Sequence, residues 1–134
     1  KEIIMVTDPI ADFITRIKNA SDAGKASLTI PYSALKENIS HVLVKGGYVD
    51  SVNTKGKGIE KTLEITLTYM GHQPRVNGVD RISKTSRRIY QKSKDIRMFK
   101  SGFGNFVLST PRGVLLDVDA KKLKVGGEVL FKIW

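Results

Sequence analysis

The chain has 134 residues, 23 Lys and Arg against 13 Asp and Glu, no cysteine, and a formal charge of +10. At 40% hydrophobic residues with only 4 Pro, it is too apolar for a disordered polyelectrolyte. It offers no disulfide, thiolate metal site or cysteine nucleophile. The longest run free of charge, Ser101 to Pro111, is 11 residues, too short to span a bilayer, and no apolar segment typical of a signal peptide follows Lys1.

Thr7-Asp8-Pro9 reads as a helix start, with a polar cap and proline in the first turn. Ile10, Phe13, Ile14 and Ile17 then form one apolar face of a helix ending near Asn19. Ala26, Leu28 and Ile30 alternate as a short strand stopped by Pro31. Ser33 caps a second helix carrying Leu35, Ile39, Val42 and Leu43, closed by Gly46-Gly47. Tyr48–Val52 is a strand, Lys55-Gly56-Lys57-Gly58 a turn, and Lys61–Tyr69 a long strand. Gly71-His72-Gln73-Pro74 and Asn77-Gly78 carry turn signals and mark a linker.

Beyond it, Val79–Ser83 and Arg87–Gln91 read as a basic strand pair, or as one strand with an irregular insert. Ser93 is placed to cap a short helix carrying Ile96 and Phe99. Phe106–Leu108 and Val114–Leu116 are apolar strands joined through Ser109-Thr110-Pro111-Arg112-Gly113. Asp117 caps a short basic helix closed by Gly126-Gly127, and Val129, Phe131 and Ile133 alternate in a last strand. The expected fold is α/β of the α+β kind. It has an α-β-α-β-β module at 1–70, a linker at 71–78 and a mainly antiparallel β module with short helices at 79–134.

Charge is divided unevenly between these modules. Residues 1–70 hold 9 basic and 8 acidic side chains, a net of +1, whereas residues 71–134 hold 14 and 5, a net of +9. The densest window is 81–100, where Arg81, Lys84, Arg87, Arg88, Lys92, Lys94, Arg97 and Lys100 face a single Asp95. Such a block repels itself and calls for a polyanion, nucleic acid before membrane because no strongly apolar helix face accompanies it.

Catalytic chemistry is poorly supplied. His41 and His72 lie in different modules with no carboxylate cluster at ligand spacing. Gly56-Lys57-Gly58 lacks the closing Gly-Lys-Ser/Thr of a phosphate loop. Gly102-Phe103-Gly104 lacks a third glycine, and Ser109 has no activating base at a suggestive spacing. Three features carry a binding signal instead. The hydroxyls of Ser109 and Thr110, with Arg112 and Gly113, suit 2′-hydroxyls and base edges in a shallow RNA minor groove, although an ordinary hairpin turn uses the same residues. Glu128, after Gly126-Gly127, either neutralises a neighbouring arginine or accepts hydrogen bonds from base or ribose. Tyr90 beside Arg87 and Arg88 either packs in the core or stacks on an exposed nucleotide.

Taken together, these segments resemble the small-subunit ribosomal protein eight family. The likeness is carried by Gly102 to Trp134, Arg81-Ile82-Ser83-Lys84, Arg88-Ile89-Tyr90, Thr7-Asp8-Pro9-Ile10-Ala11-Asp12 and Thr15-Arg16-Ile17-Lys18-Asn19-Ala20. It runs from about Met5 to the end in the same order. The resemblance implies a non-catalytic, cofactor-free protein of the ribosome, cytoplasmic or organellar. It would bind a junction in the central domain of small-subunit ribosomal RNA beside neighbouring small-subunit proteins, and help assemble and stabilise the platform. No membrane or small-molecule substrate is expected. The implied RNA-contacting face comprises Ser109, Thr110, Arg112, Gly113, Tyr90, Gly127 and Glu128, with Lys84, Arg87 and Arg88 supplying cations. Further contacts are expected from Thr7, Ser33, Lys55 and Lys57. The family's third serine is Pro111 here, its Lys-Pro-Gly turn is Lys84-Thr85-Ser86, and its Ala-Arg pair is Ala120-Lys121. The alternatives are a general structured-RNA binder or an RNA-processing enzyme, for which Asp117, Asp119 and Glu128 would have to share a pocket.

Overall fold

The computed structural model describes residues 8–84, 86–96 and 104–134; Thr7, Thr85 and the expected helix beyond Ile96 lie outside them. The first helix, α1 (Pro9–Asp22), begins where Asp8 accepts a hydrogen bond from the Ala11 N–H at 3.2 Å, satisfying one of the free donors of the first turn. It runs past Asn19 because its apolar face continues through the buried Ala20. Gly24, at φ +74°, then turns the chain so that the Lys25 N–H reaches the Ala20 carbonyl at 3.0 Å.

Strand β1 (Ser27–Pro31) includes its proline, tolerated because the strand is at a sheet edge. Helix α2 (Ala34–Lys45) is capped by Ser33 and buries Ile39, Ser40 and Leu43. Leu35, expected in the core, is 39% exposed in the first turn. Strands β2 (Val49–Lys55) and β3 (Thr62–Leu67) are joined through a 3₁₀ turn at Gly58–Glu60. Their antiparallel pairing with β1 gives the order β1–β3–β2. Leu63, Ile65 and Leu67 all point into the core, the period of two expected of a half-buried strand. Tyr69 does not extend β3 but starts a small hairpin, β4 (Tyr69–Met70) with β5 (Gln73–Pro74). Across 71–78 the chain then buries Val76 and pairs both ways with the last residue. The N–H groups of Asn77 and Gly78 donate to the Trp134 carbonyl, and the Trp134 N–H donates to Gly78.

The second sheet contains β6 (Val79–Arg81), β7 (Tyr90–Gln91), β8 (Asn105–Thr110), β9 (Gly113–Leu116) and β10 (Gly127–Ile133). Its order is β6–β10–β8–β9, with β7 also paired to β10. β6 and β7 therefore do not pair with each other as strands. Both lie against β10, and between them the chain makes an excursion, described at residues 83, 84 and 86–89. Helix α3 (Asp117–Leu123) starts after Leu116, so Asp117 is its first residue rather than its cap. The helix stops at Lys124 in the left-handed conformation, φ 59°, and not at the glycine pair, of which Gly127 opens β10. The expected helix after Ser93 is represented by a single 3₁₀ turn, Ser93–Asp95.

The main core draws on both halves of the chain. Phe13, Ile17, Ile30, Leu43 and Ile65 cluster with Val107, Leu130, Phe131 and Ile133. A smaller group, Ile96, Leu108, Ala120 and Val129, lies beneath α3. A buried polar chain links the halves as well: the Tyr48 hydroxyl donates to Asn105 at 2.6 Å, and the Asn105 amide donates to Asp117 at 2.8 Å. Burial raises the Tyr48 pKa above its ordinary value of 10.0, against the opposing effect of Arg75, whose guanidinium lies 4.3 Å from the ring centre. No helix among the described residues is long and apolar enough to cross a membrane.

Candidate nucleic-acid interface

The central strand β10 sets three side chains in one row. Glu128 is paired with Tyr90 of β7 on one side and with Ser109 of β8 on the other. Residues separated by 19 and 38 positions in sequence thus become cross-strand neighbours, about 5 Å apart. Tyr90 is 68% exposed, which removes the core-packing reading of that residue. It borders a concave patch shared with Gln91, Lys92, Ser93, Gly126 and Gly127.

The glycine pair makes this row possible. A Cβ on Gly127 would lie 2.1 Å from the Ser109 carbonyl oxygen, and one on Gly126 would lie 2.3 Å from that of Gln91. Both distances are far inside van der Waals contact. The sheet narrows here around bare backbone, and any side chain at 126 or 127 would push β7 or β8 away from β10.

At the end of β8 the chain reverses between Thr110 and Gly113, which pair with each other. Gly113 adopts φ +105°, a conformation that L side chains rarely take. The Thr110 hydroxyl donates to the Gly113 carbonyl at 2.7 Å and accepts from the Arg112 N–H at 3.1 Å. It therefore closes the turn and keeps one acceptor site for anything outside it. Ser109 makes no side-chain hydrogen bond among the described residues. Pro111 and Arg112 stand exposed at the tip.

Beside this row lies the excursion 83–89. Lys84 and Arg87 exchange two backbone hydrogen bonds, at 2.8 and 3.0 Å, so both cations sit on a narrow, exposed loop. Arg88 donates to both carboxylate oxygens of Glu128, at 3.3 and 3.1 Å. The Arg88 side chain is half exposed, while that of Glu128 is only 12% exposed. Glu128 thus does neutralise an arginine, and the pair places one guanidinium directly above the row.

Other expected contributors fall elsewhere. Arg81, counted in the basic block, is turned inward. Its side chain is 11% exposed and donates to Asp8 at 3.1 Å and to the Leu130 carbonyl. Ser33 caps α2, and Lys55 pairs with Glu64 at 2.9 Å. Lys57 is exposed beside the 3₁₀ turn of the first sheet. These three belong to the first sheet and its helix, not to the β7–β10–β8 row. The carboxylates that a nuclease would need are each committed separately: Asp117 to Asn105, Asp119 to Lys45 at 3.0 Å, and Glu128 to Arg88. No group of three or more metal-binding side chains occurs among the described residues.

Sequence reasoning passed over Ser83, which is fully buried and bonded twice to the backbone of Ile89. No local signal marks it, because a serine in a basic stretch looks like solvent-facing filler. It also passed over the partnership of Asp8 with Arg81, which spans 73 positions.

Comparison with known proteins places these features in context. A family model described as ribosomal protein S8 matches residues 8–134. Curated relatives named small ribosomal subunit protein uS8 match over nearly their whole length. That of Mycoplasmopsis agalactiae is 43% identical over 98% of this chain and 100% of its own. That of Nitratidesulfovibrio vulgaris is 42% identical over 97% and 100%, and that of Chlorobaculum tepidum 42% identical over 96% and 98%.

Proposed function

Since the chain belongs to the ribosomal protein S8 family, a family of ribosomal proteins rather than of enzymes, we propose that it is a structural constituent of the small ribosomal subunit that binds ribosomal RNA directly. The site proposed is the central domain of that RNA, where the protein helps assemble and stabilise the platform beside neighbouring small-subunit proteins. The compartment is the cytoplasm or, for an organellar ribosome, the organelle. The observation that carries the reading is the row Tyr90–Glu128–Ser109 with exposed cations along its border.

The division of labour follows from the chemistry. Lys84, Arg87, Arg88 and Arg112 contact phosphates, which contributes salt-dependent strength with little sequence information. The Ser109 hydroxyl, the remaining acceptor of Thr110, the exposed Tyr90 ring and the backbone at Gly113 and Gly127 fit an irregular, widened minor groove with a displaced base. Glu128 would repel phosphate if it stood alone. Paired with Arg88, it holds that cation in place and keeps an acceptor near a base or a 2′-hydroxyl. Thr7, Ser33, Lys55 and Lys57 are proposed as secondary contacts made by the first module. Chemical footprinting on complete small-subunit ribosomal RNA should give protection at one site in the central domain. Equal affinity for that RNA and for a plain duplex of matched length would overturn the reading.

A further inference from the structure

We propose that Ser83 is the positioning residue of the RNA-contacting face, acting through the excursion that carries Lys84, Arg87 and Arg88. The inference rests on the RNA-binding reading above. The excursion leaves and rejoins the same edge of β10 at a single residue. The Ser83 N–H donates to the Val129 carbonyl at 3.1 Å, and the Val129 N–H donates to the Ile89 carbonyl at 2.9 Å. Backbone pairing to β10 alone fixes the two ends but leaves the Ile89 N–H without a strand partner. The Ser83 hydroxyl closes that gap. It accepts from the Ile89 N–H at 2.7 Å and donates to the Ile89 carbonyl at 3.3 Å.

At this neck Ser83 is 0% exposed and Ile89 half-buried, so loss of the hydroxyl would leave a part-buried donor unpaired. Arg88 and Tyr90, the neighbours of Ile89, are thereby set at a fixed height over Glu128. Lys84, next to Ser83, is fixed at the other side of the neck. Long cationic side chains lose less entropy on meeting a phosphate when the backbone beneath them is already ordered.

The test is RNA binding by the full chain to a small-subunit ribosomal RNA transcript, titrated over a range of salt, with Ser83→Ala, Arg87→Ala and the double variant. Ser83→Ala is expected to bind about tenfold more weakly and to flatten the salt slope by about one unit. Amide exchange at Ile89 should accelerate in the same variant. In the double variant the loss should be smaller than the product of the two single losses, because a residue that acts through the excursion has less to position once Arg87 is gone. A purely structural serine gives multiplicative losses and an unchanged slope, which would overturn the proposal. So would wild-type affinity in Ser83→Ala with faster exchange at Ile89. If Arg87→Ala also binds as the wild type does, the excursion adds no contact and the proposal is overturned; if the wild type binds the transcript no better than a plain duplex of matched length, the RNA-binding reading itself fails. Should Ser83→Ala not fold, Ser83→Cys keeps a weaker hydrogen-bonding group at the neck, and intermediate losses are expected; wild-type binding by Ser83→Cys with faster exchange at Ile89 would overturn the proposal.

Discussion

Two neighbouring hydroxyls at the tip of β8 have separate physical jobs. The Ser109 hydroxyl makes no hydrogen bond among the described residues, whereas that of Thr110 holds the turn shut through Gly113 and Arg112. Ser109→Ala should therefore weaken RNA binding by about 1 kcal/mol with stability unchanged. Thr110→Ala should lower stability in urea by about 1 kcal/mol as well as weakening binding. Filter binding and denaturant titration on both variants separate the two roles. Tyr48 supplies a different residue-scale test. Its pKa is raised in the fold, so the unfolded chain releases this proton first as pH rises. The tyrosine's contribution is thus fully present below pH 10 and declines above it. Tyr48→Phe should cost about 1 kcal/mol at neutral pH through the lost bond to Asn105. It should also fall less steeply than the wild type in urea titrations above pH 10.

At the scale of elements, what could be read from the sequence was whatever is determined locally. The start of α1 followed from Asp8-Pro9 and four apolar positions, and the β8–β9 hairpin from two apolar runs around Pro-Arg-Gly. The contour of 79–91 could not be read in this way. β6 and β7 are short, and their partner β10 lies more than 35 positions further on, so no local periodicity records the excursion between them. The close of α3 was misjudged for a related reason. Gly126-Gly127 looked like a helix stop, but these glycines answer to neighbouring strands that approach within 2.3 Å of where a Cβ would stand. Gly127→Ala should accordingly lower stability by about 2 kcal/mol through overpacking and disturb the Tyr90–Glu128–Ser109 row. Urea denaturation and cross-strand NMR contacts between β10 and β8 would report the two effects.

For the molecule as a whole, the uneven charge directs attention to the second sheet, but net charge does not say which cations face outward. Arg81 is the instructive case. Counted in a basic block, it is bound to the cap of α1 and to Leu130, tying the first helix to the second sheet. Arg81→Ala should lower the thermal stability of the whole molecule, by about 2 kcal/mol, since it strands a half-buried carboxylate. The salt slope of RNA binding should stay as in the wild type, whereas Arg87→Ala flattens it. Because the main core mixes Phe13 and Ile65 with Phe131 and Ile133, unfolding is expected as one transition by both fluorescence and circular dichroism.

The position of β10 has a consequence for the order in which the protein takes shape as it is made. The first sheet has all three of its strands once Leu67 has been added. The second is built around a strand that comes last of the ten among the described residues and pairs directly with β6, β7 and β8. On a translating ribosome, these strands emerge before the one that joins them. The three strands of the first sheet can therefore pair during synthesis, but its core closes only with Leu130, Phe131 and Ile133, and the row proposed to contact RNA has no centre until residues 127–133 leave the exit tunnel. On the proposed reading, the nascent chain is thus kept from engaging RNA through that row until β10 has emerged.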